Sequence, residues 1–170
     1  RFRQQKMLLP TYDVFDEQRH FSPATEQSVC EINGLRVGLT ICEDVWNDKQ
    51  FWERSLYARD PVEELVNAGV DLIVNISASP YHLYKRCLRL EMIRAAARRH
   101  AIPVVMVNQV GGNDHLVFDG SSFAVNAAGN LVARANSFVE DLVFWDTAES
   151  NGSEIAAWPQ AGSEDEHDAV

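Results

Sequence analysis

The sequence is poor in the features that would commit it to a disulfide framework, a metal or a membrane. Its cysteines, Cys30, Cys42 and Cys87, are three in 170 residues and show no CxxC spacing. That odd, sparse set excludes a disulfide scaffold and fits a reducing compartment. No HExxH motif and no Cys/His cluster occurs, so no metal site is expected. No apolar run is long enough to span a bilayer, and signal-peptide and lipidation patterns are missing, which makes the cytoplasm the expected location. Basic residues are outnumbered, 15 Lys and Arg against 25 Asp and Glu, for a net charge of −10. That balance argues against nonspecific nucleic-acid binding and against attraction to anionic membranes. Internal repeats are absent. An initiator Met is absent too: the chain opens Arg1-Phe2-Arg3-Gln4-Gln5-Lys6, from which we expect an upstream half.

What is present belongs to a folded protein. An apolar fraction of 46% and four tryptophans suit one domain with a substantial core. The chain reads as alternating strand and helix. Ser28–Ile32 and Leu35–Ile41 flank Asn33-Gly34, a dipeptide suited to a two-residue hairpin. Phe51 to Ala68 is expected to be helical in two pieces, broken at Asp60-Pro61, with Asp60 capping and Gly69 ending the second. Asp71–Ile76 and Ile102–Val107 are apolar runs expected of strands covered on both faces. Leu83–His100 is expected as a helix with Leu88, Met92, Ala95 and Ala96 along its apolar side. Phe118–Asn126 and Leu131–Ala135 form an expected hairpin, and Asp141–Trp145 an expected last strand. The sum is a mixed α/β sheet with at least one face covered by helices. Residues 148–170 carry six acidic side chains and no Lys or Arg, so an acidic linker or tail is expected beyond a domain of residues 1–147.

Cys42 draws the eye because it ends the apolar run Gly38-Leu39-Thr40-Ile41 and is followed by Glu43-Asp44-Val45-Trp46. A thiol at a strand's carboxyl end sits where open α/β folds bind ligands. A cysteine nucleophile needs a base and a group to hold the oxyanion. Lys6 could supply the positive charge and Glu17, eleven residues on, could move protons. Each has a structural reading as well. An isolated lysine suits a solvated surface, a cysteine after a strand suits core packing, and Ser79-Pro80 suits a strand-ending turn. Tyr12 suits the core, and Lys85 accompanies five arginines of a charged helix face. Gly111-Gly112-Asn113-Asp114 reads as a turn or an anion cradle.

The order of these segments adds more. Lys6 through Phe21, followed by Gly38-Leu39-Thr40-Ile41-Cys42-Glu43-Asp44-Val45-Trp46, resembles the nitrilase superfamily of carbon–nitrogen hydrolases. Asn75-Ile76-Ser77-Ala78-Ser79-Pro80-Tyr81-His82, Val107 through Asp114 and Val117 through Phe123 resemble one branch of it. That branch is the glutamine amidotransferase domain of glutamine-dependent NAD synthetase, and the resemblance covers residues 6 to about 146.

The resemblance implies an α-β-β-α sandwich, incomplete here, and a Glu–Lys–Cys triad. It implies that Cys42 attacks the glutamine amide to give a glutamyl thioester and ammonia. Lys6 and the Glu43 N–H would stabilise the oxyanion, and Glu17 would be the second glutamate orienting the lysine. Tyr12, Glu43, Ser79 and Lys85 would contact the substrate, with Trp46 close by; Lys85 suits an α-carboxylate and Glu43 an α-ammonium. The expected partners are glutamine, a C-terminal NAD synthetase domain and further copies of the chain. No cofactor is expected in this domain, whereas ATP and magnesium belong to the synthetase domain.

Two features depart from the pattern. The triad's general-base glutamate lies upstream of the lysine motif in the family, and this chain contains no such stretch. The Ser-Gly-Gly-x-Asp-Ser type of pyrophosphate loop is also missing from the sequence. The chain alone is therefore expected to be inactive. Rival readings are a stand-alone amidase or carbamoylase, whose pocket would lack charges for the α-amino and α-carboxylate groups. A catalytically silent fragment kept for subunit contacts would have Cys42 buried and Lys6 turned away.

Overall fold

The computed structural model describes residues 2–148, 153–156 and 158. The first hairpin forms as expected: β1 (Val29–Ile32) pairs antiparallel with β2 (Leu35–Ile41) through Ile32 and Leu35. Asn33 and Gly34 both take positive φ, 50° and 81°, the conformation a type I′ turn demands. Helix α1 (Pro61–Asn67) begins where Asp60 accepts the N–H groups of Val62 and Glu63, both at 3.1 Å. It gives way at Gly69, whose φ is 75°. Gly38 on β2 lets α1 pack closely on the strand. A Cβ there would lie 2.8 Å from the δ-carbon of Leu65, so a larger residue would force the fully buried Leu65 side chain to shift.

Strand β3 (Leu72–Ser77), helix α2 (Lys85–His100) and strand β4 (Val104–Asn108) follow. After the small hairpin of β5 (Val110–Asn113) and β6 (Leu116–Asp119), the chain adds β7 (Phe123–Val125) and β8 (Leu131–Arg134). The main sheet runs β1-β2-β3-β4-β7-β8, and β5-β6 stands as a separate pair. Strands β2, β3 and β4 are parallel. Their carboxyl ends, at Ile41, Ser77 and Asn108, therefore share one edge.

Both helices lie on the same face. Leu65, Leu90 and Ile93 pack there on Ile73, Val104, Met106, Val125 and Leu131. The opposite face is as apolar but only partly covered, with Ile76 and Val107 about half exposed. This is the α-β half of the expected sandwich.

Four local expectations need correction. Residues 51–60 turn and bend instead of forming a helix. Buried Asn47 accepts the N–H groups of Leu56 and Tyr57 and donates to the carbonyls of Tyr57 and Arg59. A side chain offering the backbone these partners outcompetes a helix. Phe118–Asn126 is not one strand: Gly120 and Ser121 take φ of 62° and 50°, which splits it between β6 and β7. Asp141–Trp145 joins no ladder among the described residues, and Leu142 and Phe144 are exposed. The buried stripe of α2 is rotated from the expected one. Of the four residues expected on it, Met92 and Ala96 are buried and Leu88 and Ala95 only half-buried, and the stripe also carries Arg86, Arg89, Leu90, Ile93 and Ala97. Arg89 is drawn inside because it ion-pairs with fully buried Asp119.

The stretch expected as a tail lies mostly outside the described residues. Those that are described pack back on the domain: the Ile155 N–H donates to the Leu131 carbonyl at 2.9 Å, and Trp158 meets Phe123 edge to face.

Candidate active site

Cys42 leaves β2 with a φ of 46° and opens a 3-10 turn, Cys42–Val45. A non-glycine residue in the left-handed region is strained by roughly 1–3 kcal/mol and recurs at functional sites. The turn aims the thiol into an open cavity of about 730 Å³, whose wall includes Lys6, Glu17, Cys42, Ala78, Gln109 and Phe118. Lys6 comes from the segment before Met7-Leu8-Leu9, which is buried against the domain. Its Nζ lies 2.6 Å from each oxygen of Glu17. Glu17 is itself fixed by a 3-10 turn and by its N–H on the Pro10 carbonyl at 3.0 Å.

Burial pushes the Cys42 thiol pKa up. The Lys6 charge and the Ala78 N–H oppose that rise, whereas Glu43 and Glu17 add to it. The thiolate thus depends on Lys6 and on the loop after β3 for its stabilisation.

A second polar group lies beside the cavity. Glu43 is buried and accepts the Tyr12 hydroxyl at 2.7 and 2.8 Å and the Tyr57 hydroxyl at 3.1 Å. Burial and the neighbouring carboxylate raise the pKa of both phenols well above the ordinary range, so both stay neutral donors. Lys85, the first residue of α2, holds its Nζ 4.6 Å from the centre of the Trp46 ring, and Trp46 stacks on Trp52. Burial and Arg89 lower the Lys85 pKa, while Cys42, Glu43 and Asp13 pull the other way. Two charges of opposite sign, Glu43 and Lys85, therefore both lie near the thiol.

Among the predicted residues, Lys6, Glu17 and Cys42 meet at the cavity, and Tyr12, Glu43, Trp46 and Lys85 group next to it. Ser79 is placed differently. It is buried, with its N–H on Asn108 Oδ1 at 2.9 Å and its carbonyl accepting from Arg89 Nη1 at 3.3 Å; its neighbour Ala78 is the residue on the cavity wall. The 111–114 segment is neither a simple turn nor a cradle: Gly111 to Asn113 belong to β5, and only Asp114 turns, with φ 52°. Sequence reasoning missed Tyr57, which lies in the stretch expected as a helix. It also missed Asp44, whose one visible signal was its place beside Glu43.

A thiol on a strained turn at the carboxyl edge of a parallel sheet shares one cavity with a Lys–Glu pair, an arrangement suited to a thiol nucleophile in an α/β protein. The carbon-nitrogen hydrolase family model matches residues 2–160, and the chain belongs to that family. It is 44% identical to the glutamine-dependent NAD(+) synthetase of Synechocystis sp., over 94% of this chain and 29% of the relative. With the protein of the same name from Thermotoga maritima it shares 40% identity over 81% of this chain and 22% of that one. The chain thus spans less than a third of the curated relatives it matches.

Among solved structures, the glutamine-dependent NAD+ synthetase of Acinetobacter baumannii superposes with a TM-score of 0.78. Identity there is 33%, covering 92% of this chain and 28% of that one. An amidase of the nitrilase superfamily from Nesterenkonia shares the fold, with a TM-score of 0.63 at 22% identity over 78% of this chain and 45% of that one.

Proposed function

We propose that this chain is the glutamine-hydrolysing part of a glutamine-dependent NAD synthetase. The Cys42 sulfur attacks the side-chain amide carbon of glutamine. Its proton passes to the general-base glutamate that the family places upstream of the lysine motif, and that acid then protonates the leaving nitrogen. Ammonia departs, leaving a glutamyl thioester, and water adds to the thioester to release glutamate and the thiol. Lys6 holds the oxyanion of both tetrahedral intermediates. An ammonium has three N–H donors and Glu17 takes two, so one remains for the substrate oxygen. Glu17 is the orienting residue, and the Glu43 N–H is the second oxyanion donor.

The observation that carries this reading is that the turn beginning at Cys42 has a buried carboxylate, Glu43, next to the thiol and a cation, Lys85, over its closing residue Trp46. A free amino acid brings an α-ammonium and an α-carboxylate, and a plain amide brings neither. Glu43, backed by Tyr12, takes the first, and Lys85 beside Trp46 takes the second. Ser79 contributes to the loop that presents Ala78. The ammonia would serve ATP-dependent amidation of nicotinic acid adenine dinucleotide in a synthetase domain beyond the acidic stretch 148–170. ATP and magnesium would bind in that domain, within a cytoplasmic homo-oligomer.

In the complete protein that carries this chain, Cys42→Ala should abolish glutamine-driven NAD synthesis and leave ammonia-driven synthesis intact. Equal loss with both nitrogen sources would overturn the reading.

A further inference from the structure

Asp44 is the least exposed residue of the nucleophile turn, at 1%, and its carboxylate is used entirely inside the protein. One oxygen accepts the N–H groups of Met7 at 3.0 Å and Leu8 at 2.8 Å; the other accepts the N–H of Ile41 at 2.9 Å. Met7 and Leu8 directly follow Lys6, and Ile41 directly precedes Cys42. Two segments more than thirty residues apart in sequence are thus tied to one side chain, each within a residue or two of a reacting group. Met7 and Leu8 are buried, yet no regular strand holds this segment.

We propose that Asp44 is a positioning residue that sets the distance between Lys6 and Cys42 by hydrogen-bonding both backbones at once. It touches no substrate. The role rests on the reading of Lys6 and Cys42 given above, and it gives a buried acidic side chain three partners that need an acceptor. Burial raises its pKa, and the three backbone N–H groups and Lys6 counter that rise. An amide would serve poorly: with its oxygen on Met7 and Leu8, its NH2 would face the Ile41 N–H, donor against donor.

The test is the pH dependence of Cys42 alkylation by iodoacetamide, together with glutaminase kinetics, in the complete protein. The charged groups acting on the thiol are Lys6, Glu17, Glu43 and Lys85, with the Tyr12 phenol beside them. Lys6→Met removes the stabilising cation and should move the alkylation profile to higher pH. Asp44→Asn should move it the same way and lower kcat by about a hundredfold, the cost of a misplacement near 1 Å, with little change in KM for glutamine. The sign is decisive. Merely deleting a negative charge near a thiol would move the profile to lower pH. The double variant should show no further displacement beyond Lys6→Met alone.

Asp44→Ser, which keeps a small acceptor and whose single O–H can rotate away from the backbone N–H groups, should displace the profile less and in the same direction. It stands in if Asp44→Asn does not fold. A profile moved to lower pH or left unmoved in the Asp44 variants, with Lys6→Met effective, would overturn the positioning role alone. A silent Lys6→Met would take down the catalytic reading and the role together.

Discussion

Two polar arrays meet at the carboxyl edge of the sheet, and they differ in where their hydrogen bonds end. In one, Arg89 pairs with Asp119, Asp119 with Asn108, and Asn108 and Arg89 both hold the backbone of Ser79. Arg89 and Asp119 are sealed, at 1% and 0%, and every partner named is internal. In the other, Lys6 and Glu17 keep side-chain exposures of 15% and 25%, and Tyr12 stands partly in solvent. The sealed array has little hydrogen-bonding capacity left for a ligand, so its work is to brace the loop that carries Ala78 toward Cys42. The partly open array pairs its charges incompletely, which leaves capacity for a substrate. Exposure of a polar network, more than its composition, separates support from chemistry.

That contrast can be broken most forcefully at Asp119. Asp119→Ala leaves the Arg89 guanidinium buried without its counter-charge, and stability should fall by about 3–5 kcal/mol, read as the shift in urea unfolding of the complete protein. A variant of near-native stability with impaired glutamine turnover would move Asp119 into the functional array. A smaller effect is expected on the open side. Tyr12→Phe and Tyr57→Phe each remove one hydroxyl donor to the Glu43 carboxylate, a bond worth roughly 1.5–3 kcal/mol. The KM for glutamine should rise about tenfold or more in each, at temperatures and urea concentrations where the variant stays folded. A lowered midpoint with unaltered KM would make Glu43 a structural acid.

The smallest effect is a matter of pH. Burial alone would push the Asp48 carboxyl up. Arg99 and the N–H groups of Gln50 and Phe51 outweigh it and hold the pKa below the ordinary value. A depressed folded-state pKa contributes stability above the unfolded value, near 4, and that contribution is lost as pH falls through the folded value. Asp48→Asn should therefore cost about 1 kcal/mol or less at neutral pH and flatten the acid side of the stability curve. An unchanged acid limb in the variant would show that other carboxylates govern it.

The elements that could be read in advance are those governed by neighbours in sequence. Asn33-Gly34 sets its own turn, Asp60-Pro61 starts α1, and the apolar runs of β3 and β4 lie within about two residues of their expected bounds. What escaped were competitions decided at a distance. Asn47 holds the backbone of Tyr57 and Arg59, so a stretch with helical spacing became a loop. Asp119 reaches Arg89 from thirty residues away and turns a charged helix face inward. Asp141–Trp145 has the composition of a strand, but a strand needs an edge to pair with.

The site divides along the same line. By itself the sequence determined the family and picked out the candidates that the fold brings to one cavity: Cys42 after an apolar strand, Lys6 before its buried segment, and Glu17 beyond it. Side-chain type and order along the chain suffice for that. Only the tertiary structure decided which polar groups face a cavity and which are spent holding it together. Glu43 and Asp44 are adjacent, both acidic and both buried, yet one receives two tyrosine hydroxyls and the other three backbone N–H groups. Those partners lie between 3 and 37 residues away along the chain, and they reach their carboxylates only once the sheet has formed.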